Sequence, residues 1–249
     1  MTEQQWKYFC DFKDEFKLKV AEWKSAAPEL TGLQREAARI AKTPEYPFET
    51  SVVYNRSLDS ITPKDEIKLI VIGDNPGKDE QLEKNNRYLV GQAGKIAEGY
   101  FRKNPELGID FRKNVIILNK TPVHSAKTAQ LKTIISRGGP VVSQLIQESQ
   151  CWMAEKTAAL HAALGTELWL VGYSELKDKK IFELYRDTLR TSLADNPAAW
   201  QKVYVFQHFS MNRFTIDLSD YIKAHKKENA PLESNIHELG VLHKNEIFN

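Results

Sequence analysis

Two kinds of hydrophobic pattern divide the chain. In "TEQQWKYFCDFKDEFKLKVAEWKSA" the apolar positions Trp6, Phe9, Phe12, Phe16, Val20 and Trp23 recur at spacings of three and four, the signature of one helix face. "LTGLQREAARIAK" predicts a second helix. The stretch "TPEYPFETSVVYNRSLDSITPKDE" has prolines and few periodic cues and reads as loop. From residue 66 the pattern changes. "IKLIVIG", "NVIILN", "ELWLVG" and "KVYVFQ" are short, continuous apolar runs rich in β-branched residues, as expected of strands buried on both faces. Helical segments alternate with them: "QAGKIAEGYFRKN", "GGPVVSQLIQESQCWMAEKTAALHAALG", "KKIFELYRDTLRTSL" and "IDLSDYIKAHKK". The longest has Pro140 near its start and Gly165 as a C-cap. This alternation predicts an α/β fold: a three-layer α/β/α sandwich with a central, mostly parallel four-stranded sheet, preceded by N-terminal helices. One domain is expected over 1–249, with an N-terminal helical extension (1–45), an α/β core (66–228) and a C-terminal tail (229–249), docked or frayed.

Composition narrows the picture little. A chain of 249 residues with 41% hydrophobic content suits one large domain with appendages. The net charge of +2 gives no global field to drive it onto nucleic acid. "MTEQQWKYFC" is too polar for a signal peptide, and no run is long and apolar enough for a membrane span, so a cytoplasmic monomer without a membrane partner is expected. Two cysteines, Cys10 and Cys151, are too few for a disulfide framework or a four-cysteine metal site; neither metal nor other cofactor is expected.

In open parallel sheets ligands bind beyond the carboxyl ends of the strands. There the first strand delivers Gly73-Asp74-Asn75-Pro76-Gly77, the second Asn119 and Lys120, the third Tyr173 and Ser174, and the fourth His208. Each has a plain structural alternative. Asp74 and Asn75 also suit an Asx-type turn before Pro76, Asn119 a cap, and His208 a structural role. From Phe111 to Gln147 there are six basic residues (Arg112, Lys113, Lys120, Lys127, Lys132 and Arg137) and no acidic one. Chain-average frequency would put about five acidic residues in such a stretch. A phosphate-bearing ligand, or simply a basic solvated face, accounts for this.

These motifs resemble the uracil-DNA glycosylase superfamily. "GDNPG" is similar to the G-I-N-P-G and G-M-N-P-G first motifs of the mismatch-specific and single-strand-selective branches, with Gly73, Asn75, Pro76 and Gly77 matching. The continuation "PGKDE…NNRYLVGQAGK" resembles the iron-sulfur branch, through Glu80, Val90, Gly91, Ala93 and Gly94. "IILNKTP" is similar to the strand whose Asn reads the base, and "QHFSMNR" to the terminal H-P-S or H-P-A motif. There are departures. Two cysteines cannot hold that branch's cluster, Leu89, with Tyr88 beside it, stands where a phenylalanine stacks on the flipped base, and Phe209 replaces the proline after the final histidine.

The resemblance implies DNA as partner and hydrolysis of the N-glycosidic bond of uracil or a related deaminated base, with base flipping. Asn119 would pair with the carbonyl and adjacent N–H of uracil. His208 would donate to the departing base, Asn75 would hold the attacking water, and Asp74 would act as base or stabilise the sugar cation. Gly73, Pro76 and Gly77 would let backbone approach the ligand, and Tyr88 or Leu89 would contact the base. Lys120, Ser210 and Arg213 would meet DNA, with Phe209 and Met211 as wedge or as ordinary packing. Two alternatives stand beside this: a nucleic-acid-binding member of the same fold with little or no activity, and a hydrolase of free nucleosides or nucleotides.

Overall fold

The computed structural model describes residues 1–248. Four strands, β1 (Leu69–Gly73), β2 (Val115–Asn119), β3 (Glu167–Val171) and β4 (Val203–Phe206), form one sheet in the order β2-β1-β3-β4. Every pairing is parallel, with Gly73 beside Asn119 and Ile72 beside Leu170. β1 and β2 are buried throughout, which is why they read as unbroken apolar runs rather than alternating ones.

Helices cover both faces. On one lie α1 (Glu3–Ala26), α2 (Leu30–Ile40), α4 (Gln130–Arg137), α5 (Gly139–Leu164) and α6 (Glu183–Ser192). On the other lie α3 (Gln92–Lys103), α8 (Arg213–Ala224) and α9 (Leu232–Phe248), with the short α7 (Pro197–Gln201) leading into β4. α5 runs between the expected signals, Pro140 in its first turn and Gly165 closing it in the left-handed conformation. Trp169 of β3 centres the second layer, with the rings of Phe101, Phe206 and Phe214 at 5.7, 4.8 and 5.8 Å.

The N-terminal helices are part of the fold. Phe12, Phe16 and Trp23 of α1 pack their rings on Trp152 of α5 at 6.2, 5.6 and 5.7 Å. The segment after α2 is irregular, as its prolines predict, yet firmly tied. Val52 and Val123 form an antiparallel bridge. Gln34 Nε2 donates to Ser51 O at 2.9 Å and to His124 O at 2.8 Å. Asn55 Nδ2 donates to Ile117 O of β2 at 2.7 Å. The tail is docked: α9 buries Ile236, Leu239 and Ile247 and packs on β4. α4 goes beyond the sequence expectation. Only Leu131 and Ile134 are its buried apolar positions, too few to make a periodic signal. No helix among the described residues is long and apolar enough to cross a membrane.

Candidate functional site

A cleft of about 800 Å³ opens at the carboxyl edge of the sheet. Asp74, Asn75 and Gly77 line it from the loop after β1, Asn119 from the end of β2, Gly172 and Glu175 from beyond β3, and His208, Met211 and Arg213 from beyond β4. Residues far apart in sequence thus meet because parallel strands all end on the same side.

Asn119 is buried, and its Nδ2 has no hydrogen-bond partner among the described residues. Its Oδ1 lies over Gly73, where an added Cβ would come within 2.4 Å of it. Gly73 therefore makes room for Asn119 and does not itself line the cleft. A buried, unpaired amide donor costs about 1–3 kcal/mol, so the position invites an acceptor from a ligand.

Asn75 is held by the loop after β2. Its Nδ2 donates to Ser125 Oγ at 2.9 Å and to the carbonyls of Ser125 and Pro76 at 3.3 Å each. That fixes the amide and leaves Oδ1 as the free acceptor. His208 is oriented by its own turn. Ser210 N–H donates to Nδ1 at 3.1 Å, and Ser210 Oγ lies 2.8 Å from the same nitrogen. The neutral ring then carries its proton on Nε2. Burial lowers the His208 pKa, Asp74 opposes that shift and Lys120 reinforces it. The ring is a neutral donor at pH 7.

Asp74 sits on a buried ammonium. Lys120 Nζ donates to Asp74 Oδ1 at 2.6 Å, to Val171 O at 2.6 Å and to Gly73 O at 3.3 Å, and lies 5.0 Å from the centre of the Phe182 ring. Burial lowers the Lys120 pKa, against the pull of Asp74. The other carboxylate oxygen of Asp74 accepts from Thr128 Oγ1 at 3.3 Å. Opposite lies Gly172, at φ +98°, where a Cβ would come within 2.2 Å of Asp74 Oδ1. Only glycine suits that backbone and that contact.

Several expectations need correcting. Lys120 is fully buried beneath the sheet edge and cannot reach a phosphate; the charge that reads as surface is a structural counter-ion. Tyr88 is also fully buried, its hydroxyl donating to Val53 O at 2.6 Å, so it offers no face to a base. Phe209 is buried against Phe111 and Phe214 and is not a wedge. Pro76 is buried away from the cleft, its carbonyl taken by Ser125 N–H and the His124 ring. The basic stretch disperses. Arg112 pairs with Glu98, Arg137 with Glu36, and of the six basic residues Lys127 alone lines the cleft.

Other residues stay where expected. Leu89 borders the cleft on a left-handed backbone at φ 50°, but its side chain is buried in the core. Gly77 lines it with open space where a Cβ would go. Met211 is 73% exposed at the rim, and it and Asn212 both have positive φ (52° and 56°), a costly pair of conformations. Arg213 is exposed at the start of α8.

Sequence reasoning gave no role to four contributors. Ser125 and Thr128 position Asn75 and Asp74. Buried Glu80 accepts from Gly77 N at 3.2 Å and Leu89 N at 3.0 Å, joining two walls of the cleft. Burial pushes its pKa up to about 7. His124 bridges Pro76 O (2.8 Å) and Tyr46 Oη (3.0 Å), with its pKa lowered by burial to about 4. Among the described residues, one group could hold a metal, Glu167, Glu233 and His237. It lies at the amino end of β3, away from the cleft, and His237 Nε2 already meets Glu167 Oε1 at 2.6 Å.

Comparison with protein-family models, with curated proteins and with solved structures finds no match to this chain. What the fold and cleft define directly is an α/β protein with an amide-, imidazole- and carboxylate-lined site at the carboxyl edge of a parallel sheet.

Proposed function

We propose that the chain is a DNA glycosylase that removes uracil or a related deaminated base by hydrolysis. The observation that carries the reading is the buried, unpaired amide donor of Asn119 beside the cleft that also holds Asn75 and His208. A flipped uracil carbonyl would satisfy that donor, and the base's N–H would face the amide oxygen. As the N-glycosidic bond breaks, negative charge grows on the base and positive charge on the sugar. Neutral His208 donates from Nε2 to the base oxygen. Asn75 Oδ1 holds water against the sugar, and the Asp74 carboxylate stabilises the cation or takes the water's proton. Met211 fills the gap left in the stack, and Arg213 and Lys127 meet backbone phosphates.

The second reading, a DNA-binding protein with weak or no excision, has its own support. Among the described residues no Phe, Tyr or Trp lines the cleft, and Leu89 offers no aromatic face on which a flipped base could stack.

The test is single-turnover incubation with oligonucleotides carrying uracil, hypoxanthine, xanthine or thymine mismatches, followed by alkaline cleavage of abasic sites. Wild-type protein should cleave at uracil. Asn75→Ala and His208→Ala should each slow excision by about 10²–10³-fold, with affinity for abasic DNA nearly intact. Asn119→Asp should weaken uracil excision by about 1–3 kcal/mol. Full rates in all three variants would refute the assignment. No excision on any substrate, together with steeply salt-dependent DNA binding, would favour the second reading. Salt-independent cleavage of free nucleosides would point to a small-molecule hydrolase.

A further inference from the structure

A separate cavity of about 180 Å³ lies between the edge of β2 and the turn at residues 56–60. Arg87, Arg112 and Lys113 line it. Arg112 spends Nε on Glu98 (2.9 Å) and Nη2 on Leu89 O (2.8 Å), while its Nη1 is buried without a partner among the described residues. Arg87 makes no side-chain hydrogen bond or ion pair among the described residues, and its Nε is buried. The two guanidiniums repel each other: burial and then Arg112 lower the Arg87 pKa, against the pull of Glu98.

The nearby acids do not resolve this. Glu98 is bound to Arg112 Nε and does not line the cavity. Asp65 lines it, but its Oδ2 accepts from Thr62 N (2.7 Å) and Thr62 Oγ1 (3.0 Å). Lys113 Nζ, mostly exposed, lies 3.7 Å from Asp110. Arg112 and Lys113 each have a carboxylate partner and Arg87 has none among the described residues, and two buried N–H donors, Arg87 Nε and Arg112 Nη1, stay unspent. A buried cationic donor without an acceptor is costly, and paired guanidiniums suit a multi-oxygen anion. The volume is below the roughly 300–1,000 Å³ of pockets for drug-sized ligands, which excludes a whole nucleotide.

We propose that this cavity is a binding site for a small oxyanion of the phosphate class, held between Arg87 and Arg112. The ion would bridge the two guanidiniums, and through Arg112 it would brace the Leu89 carbonyl. The site does not depend on the glycosylase reading.

The test is thermal unfolding in sodium phosphate against sodium chloride at matched ionic strength, with wild-type protein, Arg87→Gln and Arg213→Ala. Phosphate should raise the wild-type Tm saturably, by about 5–10 °C at a hundredfold excess over Kd. Sulfate should compete for the site. Arg213→Ala should keep the effect, which separates this cavity from the cleft. Arg87→Gln should lose it while matching or exceeding wild-type Tm in chloride, because the repulsion is gone. Should Arg87→Gln fail to fold, phosphorus NMR line broadening of phosphate by wild-type protein, reversed by sulfate, supplies the readout. No saturable phosphate effect, or the same effect in Arg87→Gln, would overturn the proposal. Stabilisation by a nucleoside monophosphate but not by inorganic phosphate would overturn it equally.

Discussion

Replacing Lys120 with methionine removes the ammonium that Asp74 sits on and keeps most of the side-chain volume. The pair is 2.6 Å apart, with Lys120 at 0% and Asp74 at 12% side-chain exposure. At that distance and an effective dielectric of about 20, the Coulomb attraction is about 6 kcal/mol, much of it offset by desolvation of both ions. Removing one partner strands the other, which typically costs about 3–5 kcal/mol. For a chain of this length that is a Tm loss of about 6–20 °C. Asp74→Asn should cost a similar amount, because it leaves a buried ammonium facing a neutral amide. The double variant Asp74→Asn/Lys120→Met should be much less impaired than the two single losses added together, since neither charge is stranded. Urea denaturation of the four proteins at pH 7 measures the cycle. Additive losses, or single losses below about 1 kcal/mol, would refute the view that Lys120 is a structural counter-ion.

Four further outcomes follow from the geometry. Glu80 should make stability fall as pH rises from 4.5 through about 7, because the folded protein resists its ionisation. Glu80→Gln should therefore gain about 3 kcal/mol on wild type across that window, and a pH-independent difference in urea titrations would contradict this. His124 has the opposite sign: folded pKa about 4 against 6.5 means its contribution is lost as pH falls through that range, and His124→Gln should flatten the acid limb of the stability curve. Gly172→Ala should lose at least about 1–3 kcal/mol through its backbone conformation alone, more with the contact to Asp74, as chemical denaturation would register. Arg213→Ala should reduce the slope of log affinity against log salt by about 1 and leave the excision rate at saturating DNA little changed; an unchanged slope would remove Arg213 from the DNA interface.

The layers of the fold were readable because their physics is local. Strands buried on both faces have no polar alternation, so "LIVIG" and "VIILN" stand out, and Pro140 and Gly165 bracket α5 by backbone preference alone. The position of the cleft was readable too, since parallel strands present their carboxyl ends on one side. What a linear pattern does not carry is the direction a residue turns after its strand ends. Lys120 follows Asn119 directly, yet one lines the cleft and the other points beneath it. Tyr88 and Leu89 both go into the core, and only Leu89 touches the cleft. Ser125 and Thr128 act through contacts with residues about 50 positions away, and neither belongs to a distinctive motif.

The contacts of residues 51–55 with β2 and with the segment just after it have a consequence for how the protein behaves outside its native state. β2 is an end strand, and an uncovered end strand is a template on which other chains can polymerise. Here Val52 bridges Val123, and Asn55 occupies the Ile117 carbonyl. The chain thus covers part of its own edge with a segment that has no place in a minimal α/β core, while Val115, Ile116 and Ile117 of the same strand border the small cavity. Trimming the N-terminus to residue 66 to obtain such a core would bare that strand. The shortened protein would be expected to aggregate through it.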